Sequence, residues 1–208
     1  MALLHRATVS PSKLELLTDW LPGRSWFPAG LPLERVGSFR FDDPAGQVGV
    51  ETLLVAAGDG TLLQVPLTYR NAPVDGLERH LVGTAEHSVL GRRWVYDGCA
   101  DPVWAATLAT AVLTGGTQAE ELVDTGDGAP APRDPDVTVR GSGSAGAPVA
   151  EVGVPAADDQ GPITVVRVAG WELVLARVVG TELTAAHTLT GWWAGGGPVV
   201  LAGVTPIG

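Results

Sequence analysis

Two apolar runs, 49–57 and 61–70, are separated only by Gly58-Asp59-Gly60. A short Gly/Asp turn between β-type runs is a strong local signal for an antiparallel hairpin. A hairpin buries one face only by adding strands or a covering helix, so this feature requires a larger sheet. Within the second run Leu63, Val65, Leu67 and Tyr69 alternate with Gln64, Pro66, Thr68 and Arg70. Pro66 lacks an amide hydrogen, which argues for an edge strand or a bulge there.

Other local signals surround the hairpin. Residues 2–9 read as a short strand. Ser10-Pro11 has the pattern of a helix start, with Ser as N-cap and Pro at the first helical position. Ser12 and Glu15 have capping-box spacing two residues later. Leu14, Leu17 and Leu21 share one helical face with Trp20 beside it, and Pro22-Gly23 ends the helix. Residues 33–42 read as a strand that points Val36, Phe39 and Phe41 at the core. Residues 77–82 read as a helical turn, and 85–89 and 93–96 as short strands around Gly91. Asp101-Pro102 repeats the N-cap-plus-proline pattern and opens an apolar helix through Thr114, closed by Gly115-Gly116. Thr117 and Glu120 have the spacing of another short helix start.

Composition changes near residue 125. Gly, Pro, Asp and Ser dominate as far as residue 149, which reads as a flexible loop or linker. Four β-rich runs follow, at 163–169, 172–179, 183–190 and 199–204, with Gly170-Trp171 as a hairpin turn. The expected fold class is α+β: a curved, mostly antiparallel sheet with helices near 11–21 and 101–114. The expected organisation is an α+β unit over 1–124, a linker over 125–149 and a β-rich segment over 150–208 that extends or packs on the same domain.

Charge narrows the function classes. The chain of 208 residues carries 13 Lys and Arg against 23 Asp and Glu, for a net of −10. Such a surface repels nucleic-acid backbones and anionic membranes, so neither is an expected partner. No apolar stretch approaches the ~20 residues needed to span a bilayer. The N-terminal residues lack the apolar core of a signal peptide, and the expected location is cytoplasmic. Cys99 is the single cysteine, which excludes an intrachain disulfide and a cysteine zinc cage. Abundant Ala, Gly, Val and Pro with one Lys suggest a GC-rich genome.

Sites for chemistry are sparse. His5, His80, His87 and His187 form no close ligand pair, so no metal site is expected. Arg92-Arg93-Trp94 joins two cations to an aromatic ring, a combination that can clasp a phosphate or stack a sugar. Asp97 and Asp101 are four apart and could act as paired carboxylates. Asp101 is better explained as an N-cap, and Asp97 as a partner of Arg92 or Arg93. Cys99 reads as a small buried residue. Trp192-Trp193 before Gly195-Gly196-Gly197 could offer a stacking platform or pack in the core. The candidate ligand contacts are therefore Arg92, Arg93, Trp94, His87, Asp97 and Trp192. The GSGSAG run at 141–146 matches a dinucleotide fingerprint in form only, because no helical pattern follows it. Phosphate-loop, nucleophile-elbow and kinase catalytic patterns are absent, and no cofactor is expected.

The run PLTYRNAP at 66–73 and HLVGTAEHSVLGRRWVYDGCADPVWAATL at 80–108 form an idiosyncratic pattern. Together they resemble the N-terminal cap domain of actinobacterial maltokinases and its stand-alone relatives. The likeness covers about 1–124 and is strongest over 47–114. It implies a curved antiparallel sheet with flanking helices. In maltokinases the nucleotide chemistry belongs to a kinase body that follows the cap, and its catalytic motifs have no counterpart in these 208 residues. The resemblance thus implies a non-catalytic accessory or regulatory protein in maltose, trehalose or α-glucan metabolism. Its expected partner is a sugar kinase or a glucan-metabolising enzyme. A small-molecule or sugar-binding module and an unrecognised enzyme using Asp97, Asp101 or His87 are the alternatives.

Overall fold

The computed structural model describes residues 2–4 (backbone only), 7–27, 32–123, 129–147 and 152–207. Twelve of the strands named here form two larger sheets, and α2 (Pro102–Thr114) lies between them. Sheet one has the order β2-β6-β7-β5-β4-β3 and is antiparallel throughout. Its strands are β2 (Val9–Ser10), β3 (Leu33–Phe41), β4 (Gly49–Ala57), β5 (Leu62–Arg70), β6 (Leu81–His87) and β7 (Gly91–Asp97). Sheet two comes from the C-terminal half. It orders β10 (Val137–Gly141), β14 (His187–Trp193), β15 (Gly196–Pro206), β13 (Trp171–Ala176), β12 (Ile163–Val168) and β11 (Ala156–Gln160). A small third sheet places β8 (Glu121–Val123) between a parallel β1 (Ala2–Leu4) and an antiparallel β9 (Ala131–Arg133).

The hairpin forms as its pattern requires. Gly49 pairs with Tyr69 and Ala56 with Leu62. The turn closes through Thr61 N–H to the Asp59 carboxylate at 2.8 Å. Register then sorts the side chains by face. Leu53, Val55, Leu63, Val65, Leu67 and Val95 meet α1 (Lys13–Trp20) through Leu16, Leu17 and Trp20. Phe39, Phe41, Val50 and Leu54 take the opposite face and meet α2 and sheet two. Helix α2 is buried almost all round, with Trp104, Ala105, Leu108, Ala109 and Val112 at 2% exposure or less. Each large apolar side chain buried in this way contributes roughly 1.5–3 kcal/mol.

The α+β expectation holds only in part. The antiparallel sheet and the two helices are present, but strands dominate the chain. Several local expectations change with the tertiary contacts. Helix α1 starts at Lys13, not at Pro11, because the capping box closes on both sides. Glu15 N–H reaches Ser12 Oγ, and Ser12 N–H donates to Glu15 Oε2 at 2.7 Å. Ser10 pairs with Glu86 as the end of β2. Val36 is 36% exposed, because a bulge between Arg35 and Gly37 turns it away from the core that holds Phe39 and Phe41.

Pro66 lies in an interior strand. Pairing with β7 begins only at Leu67, opposite Asp97. Earlier in β5 a different neighbour takes over: Gln64 N–H donates to Arg177 O, and Val179 N–H donates to Leu62 O. Pro66 falls in the gap between these two partners, where no amide hydrogen is needed. The helix expected at Thr117–Glu120 is absent. The segment is recruited sideways instead, its Ala119 N–H donating to Arg40 O and its Gln118 side chain accepting at Oε1 from Val139 N–H.

The stretch 125–149 was expected to be loop, yet it contains β9 and β10. Val137 and Val139 of β10 are buried in the common core. The GSGSAG run caps the end of α2. Gly143 and Ser144 N–H groups donate to Val112 and Leu113 carbonyls, the acceptors a helix end leaves open. The approach is so close that a Cβ on Gly143 would sit 1.9 Å from Leu113 O.

Candidate functional site

Alternation along β7 divides the residues expected to act together. Arg92, Trp94 and Tyr96 take one face; Arg93, Val95 and Asp97 take the other. Arg92 is solvent-exposed and pairs with Glu86 at 2.6 Å across the β6–β7 ladder. Trp94 packs beside Leu77, Tyr96 and Ala100. Arg93 donates from Nη2 to Leu90 O at 2.7 Å. His87 closes the β6–β7 turn, its Nδ1 accepting from Val89 and Leu90 N–H groups. Trp192 is 38% exposed on β14 of sheet two, so it does not join the β7 residues. His5 lies outside the described residues. Among the described residues no group of His, Cys, Asp or Glu could hold a metal ion.

Asp97 bonds neither Arg92 nor Arg93. Its Oδ2 accepts from Arg177 Nη2 at 2.6 Å, and its Oδ1 accepts from Cys99 N–H. Arg177 is fully buried. Its Nε donates to Thr164 Oγ1, which donates on to Asp159, and its guanidinium lies 4.7 Å from the Trp26 ring centroid. Burial opposes its charge, but Asp97 outweighs that and holds the guanidinium pKa above its ordinary value. This network bolts β7 to the second sheet. Asp101, also fully buried, caps α2 through Val103 N–H and accepts a two-pronged bond from Arg70 and one from Thr68. Burial raises the Cys99 thiol pKa well above its usual value, so the thiol stays protonated.

Sequence reasoning missed a second cluster, on the α1 side of sheet one. Glu51 is 2% exposed, accepts from Lys13 Nζ at 2.6 Å and Tyr69 Oη at 2.9 Å, and forms an ion pair with Arg40 Nη2 at 3.1 Å. Burial alone raises a carboxyl pKa; here Arg40 and Lys13 with the Lys13 and Tyr69 hydrogen bonds win. Glu51 is held well below the usual carboxylate range. A charged residue inside the otherwise apolar run 49–57 was the available signal.

This cluster floors a cleft of about 1430 Å³, within which His87 and Arg93 are the expected contacts that remain. The cleft forms because α1 covers only the apolar half of this sheet face. Beyond its N-terminus the ladder continues as a polar diagonal: Arg40 opposite Glu51, then Tyr69, then Arg93 beside Ala85. Five of the 13 cationic side chains line it, against four of the 23 carboxylates, so it is locally far less negative than the chain. A neighbouring groove of about 600 Å³ runs along α2 past Val103, Ala106 and Thr110.

No helix among the described residues is long and apolar enough to cross a membrane. No curated protein matches the chain. The segment 20–101, which contains β3 to β7 and the Asp101 cap, matches the family model of the maltokinase N-terminal cap domain. This part of the chain is therefore related to that family.

Proposed function

We propose that this chain is a non-catalytic, cap-like accessory or regulatory protein linked to carbohydrate metabolism, acting with a sugar kinase. The observation that carries the reading is the match of residues 20–101 to the maltokinase cap. The chemistry of the site supports it. Asp97 and Asp101, the carboxylates best placed in sequence for acid/base work, are spent on Arg177, Arg70 and the cap of α2. The test mixes the purified chain with a maltokinase-type kinase. Co-elution on gel filtration and an altered phosphorylation rate are expected; separate elution with an unchanged rate refutes the reading.

A second reading, a small-molecule or sugar-binding module, is favoured by the polar cleft beside α1. It narrows the earlier set of contacts to His87 and Arg93 and adds Lys13, Arg40 and Tyr69.

A further inference from the structure

The cations of the cleft differ in how they are neutralised. Arg35 and Arg133 on its wall share Asp136. Lys13 and Arg40 share Glu51. Arg93 has no carboxylate within ion-pair reach among the described residues; its bond is to the Leu90 carbonyl. A guanidinium has five N–H donors in a planar fork, so most of this fork remains for a ligand. Such a fork matches phosphate oxygens two at a time.

On the floor of the cleft Lys13 and Arg40 are held by Glu51, with Glu121 also acting on Arg40, so Arg93 is the cation that faces the cleft without a carboxylate of its own. That open guanidinium suits an anionic oxygen group, and a phosphate offers its fork several oxygens to bond in pairs. Gln47 and Asn71 add amide side chains to the same cleft, and these can bond hydroxyl groups. Asp42 and Asp43 line both this cleft and the α2 groove. Asp43 is occupied by the N–H groups of Ala45, Gln47 and Val48. The volume exceeds what a single monosaccharide phosphate needs, leaving room for a larger hydroxylated body.

We propose that this cleft binds a small organic phosphate bearing hydroxyl groups, with Arg93 holding the phosphate and the Lys13–Glu51–Arg40 cluster setting the field beneath it. The site stands on the cleft geometry and does not require a kinase partner.

Calorimetric titration of the intact chain with glucose 6-phosphate, inorganic phosphate and glucose tests it. Glucose 6-phosphate is expected to bind, more weakly as salt rises. Arg93→Gln is expected to weaken it about tenfold or more, given the strength of charged hydrogen bonds. Arg93→Lys keeps the charge without the fork and should recover part of the loss. Arg92→Gln, on the opposite face, should leave binding unchanged. Absence of saturable binding overturns the proposal. So does equal affinity in a folded Arg93→Gln variant, or glucose binding as tightly as its phosphate. Inorganic phosphate binding as tightly as glucose 6-phosphate overturns the hydroxyl-bearing ligand class.

Discussion

Replacing Arg177 by Met tests whether the two sheets are bolted together by a buried charge pair. Arg177 is 0% exposed, and the Asp97 side chain is 8% exposed. The substitution keeps the bulk of the stem and removes the bonds to Asp97 and Thr164. It also removes the stacking on Trp26. Asp97 would be left charged, buried and held only by the Cys99 amide. Breaking a buried pair from one side costs about 3–5 kcal/mol. For a chain of this size that lowers the thermal midpoint by roughly 10 °C. The pair itself is worth less than this, because Arg177 Nη1 is already buried without a partner. The double variant Arg177→Met/Asp97→Asn should therefore recover part of the loss, a coupling of about 1–3 kcal/mol. Urea unfolding of the four-member cycle measures both quantities. A single-variant loss below about 1 kcal/mol, or strict additivity, would refute the desolvated-pair argument.

Two further outcomes concern the α1 side of sheet one. Glu51 has a folded pKa below its unfolded value of about 4.3, so its contribution is fully present above that pH and is lost as acid approaches the folded value. Stability should decline on acidification below about pH 4, and Glu51→Gln should flatten that part of the profile while lowering stability at neutral pH; an unchanged acid limb would contradict the assignment. Ser12→Ala opens the capping box and should cost about 1 kcal/mol in urea unfolding, and a loss of only a few tenths would show that the cap is not formed in solution.

Much of sheet one was legible because its signals are local. The 49–57 and 61–70 hairpin, the Asp101-Pro102 helix start and the Gly115 stop each depend on a few adjacent residues, and each formed as read. The GSGSAG run shows the opposite case. Glycine reads as freedom in a sequence, but here the missing Cβ lets the 141–143 backbone approach the end of α2. The Thr117–Glu120 helix failed for a related reason, since Arg40 and Val139 compete for its hydrogen-bonding groups from other strands.

The candidate site was the least legible part. Arg92, Arg93 and Trp94 are adjacent in sequence, yet the strand period of two sends neighbours to opposite faces, so only Arg93 reaches the cleft. Lys13, Arg40, Glu51 and Tyr69 are scattered along the chain and meet only through the registers of β3, β4 and β5 and the docking of α1.

The sequence by itself determined the strand-rich core of sheet one, the Asp101-Pro102 helix start, the Ser12–Glu15 capping box and the acidic balance, because propensity, capping and charge are properties of short segments. It also carried the cap-domain pattern. Tertiary structure alone decided which carboxylates are bolts and which cation faces a cleft. Register and burial set the partner of each charge, and both depend on residues far apart in the chain.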